Sequence, residues 1–285
     1  MPNLTMLLKT DGVIEAQLIG IRKASTFTGF CAKHDKQLFA EIEDQEFVAS
    51  PKQVFLHGYR AVAMELYKKT ASTELSEGMG DLDQGRDPLP QVMVQMLAGG
   101  MAEGNALGRR DMQERKDDFV RVWDTEAWGE LNYVVIEFDS ELTISSGGVF
   151  TPEADFAGAR LQQWGDGGPA PDYLCFSLIP TPLGGAAIWC WLGDLPASAA
   201  FAKSLLALSD DDIASAIVQF AFESIENTYG SPVWWEGLAK ETQDVLLARM
   251  REDPMDEKPL TVLIPDGRLY ANWRVKSRQS SFAKP

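Results

Sequence analysis

The chain has 285 residues, 26 of them basic and 42 acidic, for a net charge of −16. That length buries a full core as one large domain or two modest ones, and the acidic balance opposes contact with nucleic-acid phosphates or an anionic membrane surface. Three cysteines do not make a disulfide framework and fit a reducing cytosol, so a cytoplasmic location is expected. The opening MPNLTMLLKTDG lacks the apolar core and cleavage site of a signal peptide, and no apolar run reaches the length of a membrane span.

Residues 4–22 read as one or two strands turning at Asp11-Gly12. Next comes STFTGFCAKHDKQLF, Ser25 to Phe39, which holds Cys31 and His34. A thiol and an imidazole three residues apart on a first helical turn point the same way, which makes half a zinc site. The next soft ligand is His57, so Cys31, His34 and His57 form the candidate metal set, with Cys175 and Cys190 following far downstream. The competing reading makes Cys31 a small buried hydrophobe and His34 a polar residue at a helix start. A short helix is expected from His34 to Ile42.

The residues Phe30, Cys31, His34, Asp35, Leu38 and Phe39 spell Phe-Cys-x-x-His-Asp-x-x-Leu-Phe. This resembles the motif of a family of uncharacterised bacterial proteins. The resemblance implies no established activity. Members of that family often carry an upstream extension with further histidines, and this sequence starts at Met1 without one, so a site needing those ligands is expected to lack them.

Ser50-Pro51-Lys52-Gln53 signals a helix start: a serine cap, proline at the first helical position, and a glutamine placed to reach back to the cap. Phe55, Tyr59, Val62 and Leu66 follow at helical spacing, which predicts a helix over about 51–75. Glu77 to Pro90 reads as a loop. Its Asp81, Asp83 and Asp87 do not complete a calcium loop, because the twelfth position from Asp81 is Val92. Residues 91–127 read as helix in two pieces. Gly100, Gly104 and Gly108 recur every four residues, making a smooth face for a second helix or a frayed junction.

From about 130 the pattern alternates. Tyr133 to Phe138 and Leu142 to Ile144 read as strands, closed by Ser145-Ser146-Gly147-Gly148. No nucleophile-elbow pattern surrounds those serines. Asp172 to Ile179 and Ala186 to Leu192 form the clearest hairpin. Symmetric closure pairs Ile179 with Ala186 and sets Cys175 opposite Cys190, as buried neighbours, an oxidisable pair or two soft ligands. Helices are expected over Pro196 to Leu208, after the Ser209 cap, and after Ser231-Pro232. Leu260 to Trp273 reads as a hairpin turning at Pro265-Asp266-Gly267. Residues 274–285 hold Arg274, Lys276, Arg278 and Lys284 without an acid and read as a basic disordered tail, the place for an acidic partner to touch.

The predicted fold is α+β: an N-terminal helical region, an antiparallel sheet flanked by C-terminal helices, and a final hairpin. The expected division is 1–128, 129–273 and the tail 274–285, with one undivided domain as the alternative. Two functions stay open. One is a soluble acidic protein that binds a protein partner without catalysis, supported by eight tryptophans and the lack of a complete catalytic constellation. The other is a metal-dependent hydrolase or nuclease using zinc at Cys31 and His34, with Asp35 or His57 as further groups.

Overall fold

A computed structural model describes residues 15–24, 29–79, 84–85, 87–163, 170–251 and 259–282. Residues 1–14, most of the first expected strand pair, lie outside the described residues, as do Asp81 and Asp83. Ile21–Ala24 forms one helical turn. Then come α1 (Ala32–Glu43), α2 (Pro51–Met79) and α3 (Pro88–Thr125). Ser50 Oγ accepts from the Gln53 amide at 3.2 Å, as a cap should. The Gln53 side chain does not return to the cap: it accepts from Val48 N at 2.9 Å and donates to Glu46 O at 2.8 Å, pinning the loop ahead of the helix.

α3 is one helix of 38 residues, not two pieces. Along it, Ala98, Met112, Arg115, Phe119 and Val122 are buried, and Asn105 and Gly108 are half-buried between them, a stripe that from Asn105 onward runs in alternating three- and four-residue steps against α2. Asn105 meets Ser72, Gly108 meets Lys69 and Phe119 meets Phe55, so the two helices run antiparallel. Continuous packing of that stripe outweighs the roughly 1 kcal/mol that each interior glycine costs a helix.

The chain then builds a six-stranded antiparallel sheet in the order β5-β2-β3-β4-β1-β6. Its strands are β1 (Leu131–Phe138), β2 (Ile144–Phe150), β3 (Leu174–Thr181), β4 (Gly184–Leu192), β5 (Thr228–Gly230) and β6 (Val275–Ser281). The β3–β4 hairpin pairs Ile179 with Ala186 and Cys175 with Cys190, as symmetric closure predicts. Ser145 to Gly148 lie inside β2 rather than closing a unit. Ser145 donates to Leu178 O at 3.2 Å, and Ser146 bonds Thr228 at 2.9 Å.

Helices cover both faces. α1, α2 and α3 bury one side of the sheet through Val135, Tyr173, Cys175, Ile188 and Cys190. The other side holds Phe176, Trp189 and Trp191 against α4 (Pro196–Leu206) and α5 (Asp210–Ser224). β4 is buried from Gly185 onward because it alternates between these two cores. Ser209 caps α5 by accepting from Asp212 N at 3.1 Å. The short α6 (Pro232–Gly237) and α7 (Lys240–Arg251) close this layer.

Two C-terminal expectations are corrected. Leu260 to Trp273 is not a hairpin but a run of turns, with Leu263, Tyr270 and Trp273 sunk into the α5 core. The Gln219 amide donates to the carbonyls of Val262 and Ile264 at 2.7 and 2.9 Å, supplying what a partner strand would have given. Residues 275–281 are not a disordered tail but edge strand β6, paired with β1. Its cations meet acids already on the fold: Arg274 Nε lies 2.8 Å from Asp139, and Arg278 donates to the carbonyls of Leu206 and Leu208 and to Asp210. The fold is thus α+β with a final strand in place of the final hairpin. Among the described residues no helix is long and apolar enough to cross a membrane.

Candidate functional site

The motif at residues 30–39 forms the start of α1, and its apolar members anchor that helix. Phe30 and Phe39 meet edge to face with ring centres 5.5 Å apart, and each lies 6.3 Å from Tyr59 on α2. Arg60 spreads its guanidinium over Phe39 at 4.7 Å. Leu38, in the second turn beside Phe39, leans on the same core. Four of the six motif positions thus carry packing or the helix start, Asp35 N closing the first turn onto Cys31 O at 2.9 Å.

Cys31 and His34 are both exposed. The Cys31 Sγ lies 3.3 Å from His34 Nδ1, so the expected pairing of thiol and imidazole on one helical turn is present. Cys31 is exposed, not the buried hydrophobe of the competing reading. His57 is elsewhere in character: it is buried on α2 with its ring 5.9 Å from that of Phe47. Burial, with the Arg60 charge adding to it, lowers its pKa to about 4, so it is neutral near pH 7. Among the described residues no three His, Cys, Asp or Glu side chains gather closely enough to hold a metal ion. Cys31 and His34 are thus a two-ligand pair among the described residues, where a structural zinc site takes four ligands and a catalytic one three.

What the motif does build is a groove. Phe30, His34, Gln37 and Leu38 of the α1 segment face Trp123 near the end of α3 across a depression of about 450 Å³. Trp123 is held from behind by Trp128, at 6.1 Å and nearly perpendicular, and by Phe55 at 5.9 Å. Lys52 sits 5.7 Å from the Trp123 ring centre and also pairs with Glu41. The lining is mainly apolar, with His34 and Gln37 as its polar members. Sequence reasoning found His34 but missed Trp123, which is 89 positions downstream; its only signal was its place four residues after Phe119, beside the buried stripe of α3.

Cys175 and Cys190 are both buried and both free thiols on the sheet face beneath α2. Burial, and then the neighbouring Cys190, push the Cys175 thiol well above its ordinary range. Cys190 donates weakly to Val54 O at 3.7 Å. This matches the reading of buried neighbours, and neither thiol joins the groove.

No family model matches the chain, and comparisons with curated proteins and with solved structures returned no match.

Proposed function

We propose that this is a binding protein whose groove takes an aromatic or aliphatic side chain of a partner polypeptide that carries basic residues beside that anchor. The observation that carries this reading is the groove itself: a mainly apolar lining from Phe30, Leu38 and Trp123, with His34 and Gln37 as its hydrogen-bonding members. Such a surface suits an anchor residue better than a hydrolytic reaction. The net charge of −16 supports a cationic partner, by long-range attraction, and opposes nucleic acid. Three free thiols support a cytosolic setting. On this reading the motif shared with the uncharacterised bacterial family marks a common binding platform, with Phe30, Leu38 and Phe39 setting its frame.

The test is selection from a displayed peptide library, followed by affinity measurement on Gln37→Trp. Gln37 is exposed, so a tryptophan there fills the groove without entering the core. Enriched peptides should share one aromatic or aliphatic anchor beside Lys or Arg, and Gln37→Trp should weaken them at least about tenfold. Peptides that bind the variant as tightly as the parent would sink the reading.

Metal-dependent hydrolysis has one supporting observation, the Cys31–His34 contact at 3.3 Å. Elemental analysis of the purified protein decides it: one zinc per chain, lost in both Cys31→Ala and His34→Ala, would favour hydrolase assays over the peptide screen.

A further inference from the structure

The N-terminal half of α3 carries a second apolar stripe, on the side away from α2. Its members are Leu89, Val92, Met96, Gly100, Gly104 and Leu107. Leu89 and Met96 are 71% and 73% exposed, and Val92 and Leu107 are about half exposed. A Cβ placed on Gly100 or Gly104 would meet nothing within 4 Å, whereas one on Gly108 would touch Lys69 of α2. The glycine face expected to receive a helix thus receives α2 only at Gly108. At Gly100 and Gly104 it is open.

The spacing of this outer stripe is three, four, four, four and three residues, which reads the same in both directions. An antiparallel copy of the helix, centred at position 98, therefore sets Leu89 beside Leu107, Val92 beside Gly104 and Met96 beside Gly100. Large side chains meet glycines at two of the three levels on each side of the centre, and leucine meets leucine at the ends. A parallel copy would instead stack methionine on methionine and glycine on glycine, leaving gaps. Self-complementarity under a twofold axis is what an isologous interface demands.

Charge points to the same occupant. Pro88 to Gly108 contains one ionisable residue, Glu103, in a chain of net charge −16. Two such acidic chains repel over most of their surfaces, and this stretch is where that repulsion is least. Glu103 and its counterpart would stand about 15 Å apart at the 1.5 Å rise per residue of a helix. With Met93 and Met101 at its flanks, both exposed, the stripe offers on the order of 500 Å² of apolar surface per copy, most of the ~800 Å² per partner of a standard interface. We propose that the protein is a homodimer joined by antiparallel contact of α3 with α3 of a second copy, closest where Met96 covers Gly100.

Sedimentation velocity on the full chain, with Met96→Glu and Gly100→Leu beside it, tests this. Both positions face open space in the single chain, so both variants keep the fold. The expected result is a parent species of twice the chain mass and a dissociation constant raised at least about tenfold in each variant. Cross-linking fixes the direction of the contact. In a Cys31→Ser background, Met93→Cys with Glu103→Cys in the same chain should be joined by a short bismaleimide into a dimer, because positions 93 and 103 of opposite copies share a level. Either substitution alone places its thiols about 15 Å apart and should not cross-link. A parent that stays monomeric up to its solubility limit overturns the proposal, as does a dimer indifferent to Met96→Glu, or single-cysteine chains that cross-link as well as the double. A monomer that floats with phosphatidylglycerol vesicles and loses that ability in Met96→Glu would assign the stripe to a lipid surface and overturn it too.

Discussion

The Cys190 sulfur on β4 fills the space that a side chain at Gly58 on α2 would need: a Cβ there would lie 2.5 Å from the Sγ and 3.1 Å from the Phe119 ring. The helix and the sheet touch so closely at this point because one residue has no side chain and the other a small one. Gly58→Ala should destabilise the fold by about 1–3 kcal/mol through overpacking, even though alanine favours a helix by up to ~1 kcal/mol over glycine. Urea unfolding reads the loss. Adding Cys190→Ala should restore part of it, and an unchanged loss in the double variant would show that the sulfur is not the obstacle.

His57 makes stability depend on pH. Its folded pKa, about 4, lies below the ordinary 6.5, so the neutral ring stabilises the fold fully above pH 6.5, and that stability is lost as pH falls toward 4. A gap of this size amounts to roughly 3 kcal/mol. Unfolding free energy measured through that window should drop by an amount of this order in the parent and by clearly less in His57→Gln. Parallel curves for the two proteins would refute the assignment.

Gln219 holds the turns at 260–264 by donating to two carbonyls. Replacing it with leucine keeps the volume and removes the donors, leaving buried acceptors unpaired at a cost of about 2–4 kcal/mol. Amide exchange of residues 260–271 should quicken beyond that of the sheet in Gln219→Leu. Uniform protection in both proteins would mean that apolar packing alone fixes the segment.

Arg278 ties β6 to the end of α4 and to Asp210. Arg278→Ala should cost about 1–3 kcal/mol. In the parent, trypsin should spare the bonds after Arg274, Lys276 and Arg278. A variant cut at Arg274 under conditions that leave the parent whole would confirm that this guanidinium holds the edge strand down; equal cutting of both would deny it.

The β3–β4 register was readable because an apolar run on either side of a proline- and glycine-containing turn leaves few ways to close, and the Cys175–Cys190 pairing followed from it. The Ser209 cap was readable for a similar local reason. β6 was not, since VKSRQSS has no alternating apolar face; it is a strand because Glu137 on β1 and Asp139 just beyond it receive Lys276 and Arg274. The continuity of α3 was hidden by glycines whose cost is met by α2, and the hairpin expected at 260–273 was displaced by one amide on a distant helix. At the groove, the Cys31–His34 pair was legible from a three-residue spacing. Trp123 was not, because nothing local says over which distant turn a tryptophan at the end of a long helix will stand.

β4 behaves as a wall with a furnished room on either side. Ala187, Trp189 and Trp191 look into one, and Ala186, Ile188 and Cys190 into the other. The helical hairpin that precedes residue 129 roofs the second room. Expressed alone, residues from 129 onward would present Cys175, Ile188 and Cys190 bare to water, an apolar floor open to any sticky neighbour. A charge introduced anywhere along β4 from Ala186 to Trp191 therefore has no solvent side to which it can turn.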